Sequence, residues 1–435
     1  MRVVVLTPYL PHREVGHGGG AAVRDLVSHL ARLHTVRLIS LVRPGEGRRL
    51  DDVRALGVDL APIPFADRTV SRRAWAGFAA DRLGAALRAW RSGYPVYAEK
   101  YWSRELSRQV QAAVADFAPD AVQVEYLQLA LLVRDLRASR NFRSGSKGRP
   151  LLVLDTHEIG SVPRRRRAAG ARGCARRRLE VEARRWERLE LAATGWADVT
   201  LCVTDADRRR LETLGGENVV TVPLGMDIER IVPHHSAGSG RRFLFLGSFA
   251  HRPNRVAAEL LVADIWPRVA AELPEAELVL AGRGSRRFLA GLSDDRRRRA
   301  PRVRALGFVE DLAGLCGGSL ALVAPLHEGG GIKIKVLEAM AQGLPVVTTT
   351  IGAEGIADPA DDAAWILPWS TGAPGETDAA SFADAMREVW RDPREARRRA
   401  DNARRLVEER FSWSAIVRAL TGIYEQGPAA AQPRG

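Results

Sequence analysis

The chain reads as an α/β protein of two doubly wound, Rossmann-like parallel-sheet domains, and three observations predict it. Short apolar runs alternate with amphipathic helical stretches along nearly the whole sequence, as in consecutive βαβ units. At 435 residues the chain is longer than one core ordinarily supports. Several apolar runs end in glycine loops, and open parallel sheets bind ligands beyond the carboxyl ends of their strands.

In the first half, strands are predicted at residues 3–7, 36–42, 121–124, 151–155 and 199–203. The first runs toward Gly16-His-Gly-Gly-Gly20, and residues 21–33 then carry helical spacing. Gly18, Gly19 and Gly20 are therefore candidates for a backbone cradle facing an acceptor or a phosphate. In the second half, strands are predicted at residues 243–247, 278–281, 303–306, 320–324, 346–348 and 365–367. Residues 225–242, with Pro233, His234, His235, Gly238 and Gly240, read as a linker. The expected domains are residues 1–225 and 226–410, facing one another across a ligand cleft, with residues 411–435 as a terminal helix and tail.

The richest stretch is His327-Glu-Gly-Gly-Gly-Ile-Lys-Ile-Lys-Val-Leu-Glu-Ala-Met-Ala-Gln-Gly-Leu-Pro-Val-Val347. It lies between two strand-length apolar runs, so it is a strand, loop, helix, strand unit. Glycines 329, 330 and 331 let backbone N–H groups approach an anion, and the first helical turn adds unpaired N–H groups and a partial positive charge. Ile334, Leu337, Ala341 and Leu344 form one stripe of the helix, while Lys335, Glu338 and Gln342 form its polar neighbour. Gly343 and Pro345 stop it. Of 66 basic residues only four are lysines, Lys100, Lys147, Lys333 and Lys335, and two of those stand here, where a compact ammonium suits a phosphate. A capped surface helix with a solvated Lys and Glu is the competing reading.

A net charge of +14 suits nucleic acid, an anionic membrane surface or a phosphorylated substrate. The arginine runs at 164–167, 176–178, 208–210, 296–299 and 397–399 lie on helices with acids nearby and are not interleaved with aromatics, which argues against a nucleic-acid partner. Residues 163–178 have few compensating acids and are the candidate contact with anionic lipid headgroups. No stretch approaches the roughly 18 apolar residues of a membrane span, so a cytoplasmic protein, at most peripheral on the inner membrane face, is expected. Cys174, Cys202 and Cys316 have no paired spacing, which argues against disulfides and a zinc site. Asp205-Ala-Asp207 has a metal-like spacing but opens a helix, where aspartates serve as caps. No metal is expected.

Taken in order, the glycine loop after the first strand, Pro223-Leu-Gly-Met-Asp227, Phe245-Leu-Gly-Ser248, Gly282-Arg-Gly284, Gly307-Phe-Val-Glu-Asp311 and Leu337 to Val347 resemble the family 4 glycosyltransferases. The resemblance implies the two-domain GT-B fold and transfer of a sugar from a nucleotide donor with retention of configuration. It also implies that Phe411-Ser-Trp413 begins a helix that returns to the first domain. Glu338 matches the second glutamate of the family's pair, which accepts from ribose hydroxyls, as an ionised carboxylate can. The position of the first is Gly330; Glu328 stands close by, and a subgroup with a glycine-rich loop and a lysine before the glutamate is the nearer likeness. Lys335 is then assigned to the diphosphate, with Lys333, Arg252 and Arg283 as secondary cations. Gly247, Ser248, Gly282, Val309, Gly329, Gly331 and Ile332 complete the implied donor site. His157 matches a family histidine near the reacting sugar, against the alternative of a histidine satisfied in the core, and Glu125 is a candidate for acceptor contact. The implied co-substrate is a UDP- or GDP-type sugar with no further cofactor, and the acceptor a carbohydrate, a lipid-linked or a small molecule. An epimerase or phosphorylase of the same fold, or a basic nucleic-acid-binding protein, is the alternative.

Overall fold

The computed structural model describes residues 1–13, 18–66, 75–139, 149–228, 231–233, 240–329, 331–369 and 375–427. The chain forms two compact units, one of Met1–Arg165, Arg177–Met226 and Trp413–Gly435, the other of Arg166–Arg176 and Asp227–Ser412.

The first unit is built on seven parallel strands: β1 Arg2–Thr7, β2 Thr35–Val42, β3 Asp59–Pro64, β4 Ala121–Glu125, β5 Leu151–Asp155, β6 Val199–Cys202 and β7 Val219–Thr221. Their order is β3-β2-β1-β4-β5-β6-β7. Both faces are covered, which is why β1 is an unbroken apolar run rather than an alternating one. Val4 and Leu6 pack with the Arg104–Phe117 helix, and Val3 and Val5 with the Gly18–Leu30 and Trp413–Gln426 helices. The last helix docks through Trp413, Ile416, Val417, Leu420, Ile423 and Tyr424, all buried, and the Trp413 ring stacks on His29 at 5.7 Å.

Three sequence expectations need correction here. β3 was not predicted; it carries Pro62 and Pro64 and is an edge strand, where a missing N–H is tolerated. β7 is the other edge and only three residues long. The helix expected over 21–33 spans Gly18–Leu30, so Gly18, Gly19 and Gly20 form its first turn rather than a loop. Packing of Val23, Leu26, Val27 and Leu30 against the sheet overrides the poor helix propensity of glycine. Gly16 and His17 of that motif lie outside the described residues, as do Lys147, His234, His235 and Gly238.

The second unit has six parallel strands, β8 Arg242–Leu246, β9 Glu277–Ala281, β10 Val303–Gly307, β11 Ala321–Ala324, β12 Val346–Thr349 and β13 Trp365–Leu367, in the order β10-β9-β8-β11-β12-β13. The chain leaves β8 toward β9 and later returns to β8's other side with β11, so the topological switch, where such sheets bind ligands, lies between β8 and β11. Phe243, Phe245 and Trp266 fill the core beneath it. Among the described residues no helix is long and apolar enough to cross a membrane.

Candidate functional site

In the second unit the ends of β8, β9 and β10 meet through glycine. Gly282 has φ +127°, its N–H donates to Gly307 O at 2.7 Å, and a Cβ there would lie 2.1 Å from Gly247 O. A Cβ on Gly247 would in turn sit 2.9 Å from Lys335 Nζ, so this glycine leaves the room in which the lysine lies. The helix that carries Lys335, Ile334–Ala341, follows the glycine loop after β11 and ends at Gly343, whose φ is +71°.

Lys335 Nζ donates to Asn254 Oδ1, Asn254 Nδ2 donates to Ser248 O at 3.0 Å, and the ammonium stands 5.1 Å from the centre of the Phe245 ring. Burial drives its pKa down to about 7, with Lys333 pushing the same way and Glu338 opposing. Glu338, one turn on, is pushed up to about 7 by burial, with Lys335 opposing. The helix is thus no solvated surface element: Val336, Leu337, Ala339, Met340 and Ala341 are buried, as is Gln342 of the polar stripe, while Lys335 and Glu338 are half-buried. A half-buried lysine hydrogen-bonded to a neutral amide gains from an anionic ligand.

The loop itself uses Gly329 at φ +117° and Gly331 at φ +64°. Gly330 lies outside the described residues. Glu328 is buried and ion-paired with Arg252, while its Oε1 has no hydrogen-bond partner among the described residues. Arg252 is therefore already neutralised by Glu328, which tells against its expected part as a diphosphate cation. Lys333 is similarly occupied, donating to Gly331 O and lying 3.6 Å from Glu354, and Ile332 is buried beneath it. Arg166 donates to Gly329 O and pairs with Glu354 at 2.5 Å. Arg283 lies over the exposed Phe308 ring at 5.1 Å, next to half-buried Val309. Among the described residues, the Lys335 ammonium hydrogen-bonds a neutral amide rather than a carboxylate. Asn254 and Glu354, which orient Lys335 and Lys333, were not legible in the sequence, since each pairing spans a loop and no local spacing marks it.

In the first unit, Glu125 and Asp155 end β4 and β5 in direct register. His157 Nε2 lies 2.5 Å from Glu125 Oε2, and its backbone N–H donates to Asp155 Oδ1 at 3.0 Å. Glu125 Oε1 accepts from Gln123 Nε2 at 2.6 Å, and Gln123 Oε1 accepts from Tyr424 OH of the terminal helix. Glu125, the candidate for acceptor contact, is fully buried with both oxygens engaged in hydrogen bonds. Adjacent parallel strands place it against His157, 32 residues along the chain. Burial alone would lower the His157 pKa, but Asp155 and Glu125 outweigh it and hold the ring above its ordinary value. Asp155 is pushed up to about 6 by burial, against the pull of His157. His157 and Asp155 line a depression with Ala22, Val23, Pro223 and Trp413.

Glu125, Asp155 and His157 offer three donor atoms within 4.8 Å of one another, a cluster that sequence spacing did not predict. The 2.5 Å contact between Nε2 and Oε2 is a hydrogen bond with no room for an ion between them. At Asp205-Ala-Asp207 the cap is Thr204, whose Oγ1 accepts from Asp207 N at 3.0 Å; Asp205 stands in the first turn and accepts from Thr221 Oγ1 at 2.7 Å.

Two doubly wound parallel sheets, the second with its glycine loop and lysine-bearing helix after the fourth strand in sequence, define the GT-B class. Sucrose-phosphate synthase from Thermosynechococcus elongatus has the same fold, with a TM-score of 0.70 at 19% identity over 99% of this chain and 100% of that one. Residues 240–392 match the family model described as Glycosyl transferases group 1. It is 27% identical to the MMP alpha-(1->4)-mannosyltransferase of Mycolicibacterium hassiacum over 99% of both chains. It is 28% identical to the phosphatidyl-myo-inositol mannosyltransferase of Mycobacterium tuberculosis over 52% of this chain, and the match spans 58% of that relative's length.

Proposed function

We propose that the chain is a retaining glycosyltransferase that moves a hexose from a nucleoside-diphosphate sugar to a hydroxyl acceptor, with the donor held in the second unit. One observation carries this reading: Lys335 is drawn out of water beside Gly247, on the first turn of a helix that follows a glycine loop. In this reading the loop N–H groups and Lys335 take the diphosphate, and Glu338, one turn on, accepts from the ribose hydroxyls. The bond from the anomeric carbon to the phosphate oxygen breaks, the acceptor oxygen bonds to the same face of that carbon, and its proton passes to the departing phosphate. Lys335 neutralises charge that grows on the leaving group, so it acts more strongly on the transition state than on the bound donor. In the first unit, His157 Nε2 is committed to Glu125.

The mannosyltransferase names of the relatives make GDP-mannose the first donor to try. Calorimetry with UDP, GDP and ADP, followed by turnover of the matching sugar nucleotides with and without acceptor alcohols, tests the reading. Binding of one nucleotide that Lys335→Met weakens supports it. Absence of any nucleotide binding at millimolar concentration, or conversion of the sugar nucleotide with no acceptor present, overturns it.

A further inference from the structure

The Trp75–Ser92 helix of the first unit exposes three large apolar side chains along residues 83–90. Leu83, Leu87 and Trp90 are 65%, 56% and 77% exposed, and their spacing of four and three residues sets them in one stripe. The inward side is made of the small residues Ala85 and Ala89, both buried. It is also clamped by Arg88, whose Nε lies 3.2 Å from the buried Glu99 carboxylate and whose guanidinium donates to the carbonyls of Glu99 and Trp102 at 3.0 and 3.1 Å. The helix is thus held with the stripe facing solvent, the reverse of what water alone would select.

The flanks say what covers it. At roughly 100° per residue, Arg82 falls on one side of the stripe and Arg91 on the other, while Asp81, the one acid among residues 81–92, falls on the far side. Leucines and a tryptophan between two arginines, on a chain of net charge +14, match the layered chemistry of an anionic bilayer surface: acyl chains below, phosphates at headgroup level. The 163–178 segment matches it less well. Its Arg165 and Arg166 are paired with Glu187 and Glu354, Arg164 lies over the Trp186 ring at 4.7 Å, and no large exposed apolar residue stands among them.

We propose that the Trp75–Ser92 helix is a docking surface for an anionic lipid bilayer, with Leu83, Leu87 and Trp90 inserted and Arg82 and Arg91 against the phosphates. This surface is independent of the glycosyl-transfer reading, and its test needs neither donor nor acceptor. The full chain is sedimented with phosphatidylcholine vesicles with and without phosphatidylglycerol. It binds the phosphatidylglycerol vesicles, and binding falls as salt rises. Leu83→Ser/Leu87→Ser/Trp90→Ser weakens binding by about tenfold or more, and Arg82→Gln/Arg91→Gln removes most of the salt dependence. Unchanged circular dichroism and melting temperature of both variants keep the comparison valid; should the triple variant unfold, Leu87→Ser alone is read instead. Three results overturn the proposal: vesicle binding that survives the apolar substitutions, binding abolished instead by Arg167→Gln/Arg172→Gln/Arg177→Gln/Arg178→Gln, or a dimer in solution that the triple variant dissociates.

Discussion

The His157 ring lies flat on the Tyr126 ring, centroids 3.8 Å apart and planes within 7°, and both residues carry positive φ, 54° and 72°. Left-handed backbone at a non-glycine residue costs about 1–3 kcal/mol. It is held here by the register of β4 and β5 and by Tyr126 N donating to Asp155 O at 2.8 Å. Strain and stacking together fix the imidazole with Nε2 toward Glu125.

Glu125→Gln removes the charge that helps raise the His157 pKa, so the ring is expected to titrate at lower pH than in the parent chain. A histidine whose folded pKa is raised contributes stability below its unfolded value near 6.5, lost as pH rises through the folded value, and the substitution shrinks that contribution. Carbon-13 histidine NMR reads the titration; an unchanged curve would falsify the pairing.

Lys335→Met is expected to weaken nucleoside-diphosphate binding about 10- to 100-fold, the range for losing a hydrogen bond to a charged group. With its pKa near 7, Lys335 is largely neutral above that pH and must take up a proton to meet a diphosphate. The parent's affinity therefore declines as pH rises past about 7, and Lys335→Met flattens this limb in calorimetric titrations. A decline that persists unaltered in the variant assigns it to another group.

Glu338 is protonated below about 7, where it loses capacity to accept from two vicinal hydroxyls. Affinity on the acid side should fall for a ribonucleotide and fall less for its 2′-deoxy counterpart, and Glu338→Gln should equalise the two. Equal acid limbs in the parent chain would remove Glu338 from the ribose.

Gly282→Ala brings a Cβ to within 2.1 Å of Gly247 O at φ +127°. Backbone strain plus overpacking predicts a loss of about 3 kcal/mol or more, read by denaturant unfolding. Gly291→Ala, whose Cβ contacts are no closer than 3.4 Å and whose φ is negative, is the control and should be near neutral.

Gly225→Ala sets a Cβ 2.3 Å from the Trp413 ring, so the terminal helix must shift. The expected cost is about 1–3 kcal/mol, together with faster proteolytic release of residues 413–427. Equal protease lifetimes would show that the ring moves aside without loosening the helix.

Much of the donor side was legible from local pattern, because a strand, a glycine loop and a short helix are contiguous and their periodicities are printed in consecutive residues. Residues 327–347 alone placed Lys335 and Glu338 on one polar stripe. The surroundings of His157 were not, because its partner Glu125 comes from a neighbouring strand. Glu125, one residue past a predicted strand, was a candidate for acceptor contact, and its full burial against His157 was not legible from spacing.

By itself the sequence determined the two parallel α/β sheets, the glycine strand ends and the lysine and glutamate one turn apart, since each is a matter of spacing within a single element. Tertiary structure alone decided which charges are free. Arg252, Lys333 and Glu125 are matched by partners 76, 21 and 32 residues away, while Lys335 hydrogen-bonds an amide among the described residues, and that difference depends on burial and on distance across loops, neither of which periodicity encodes.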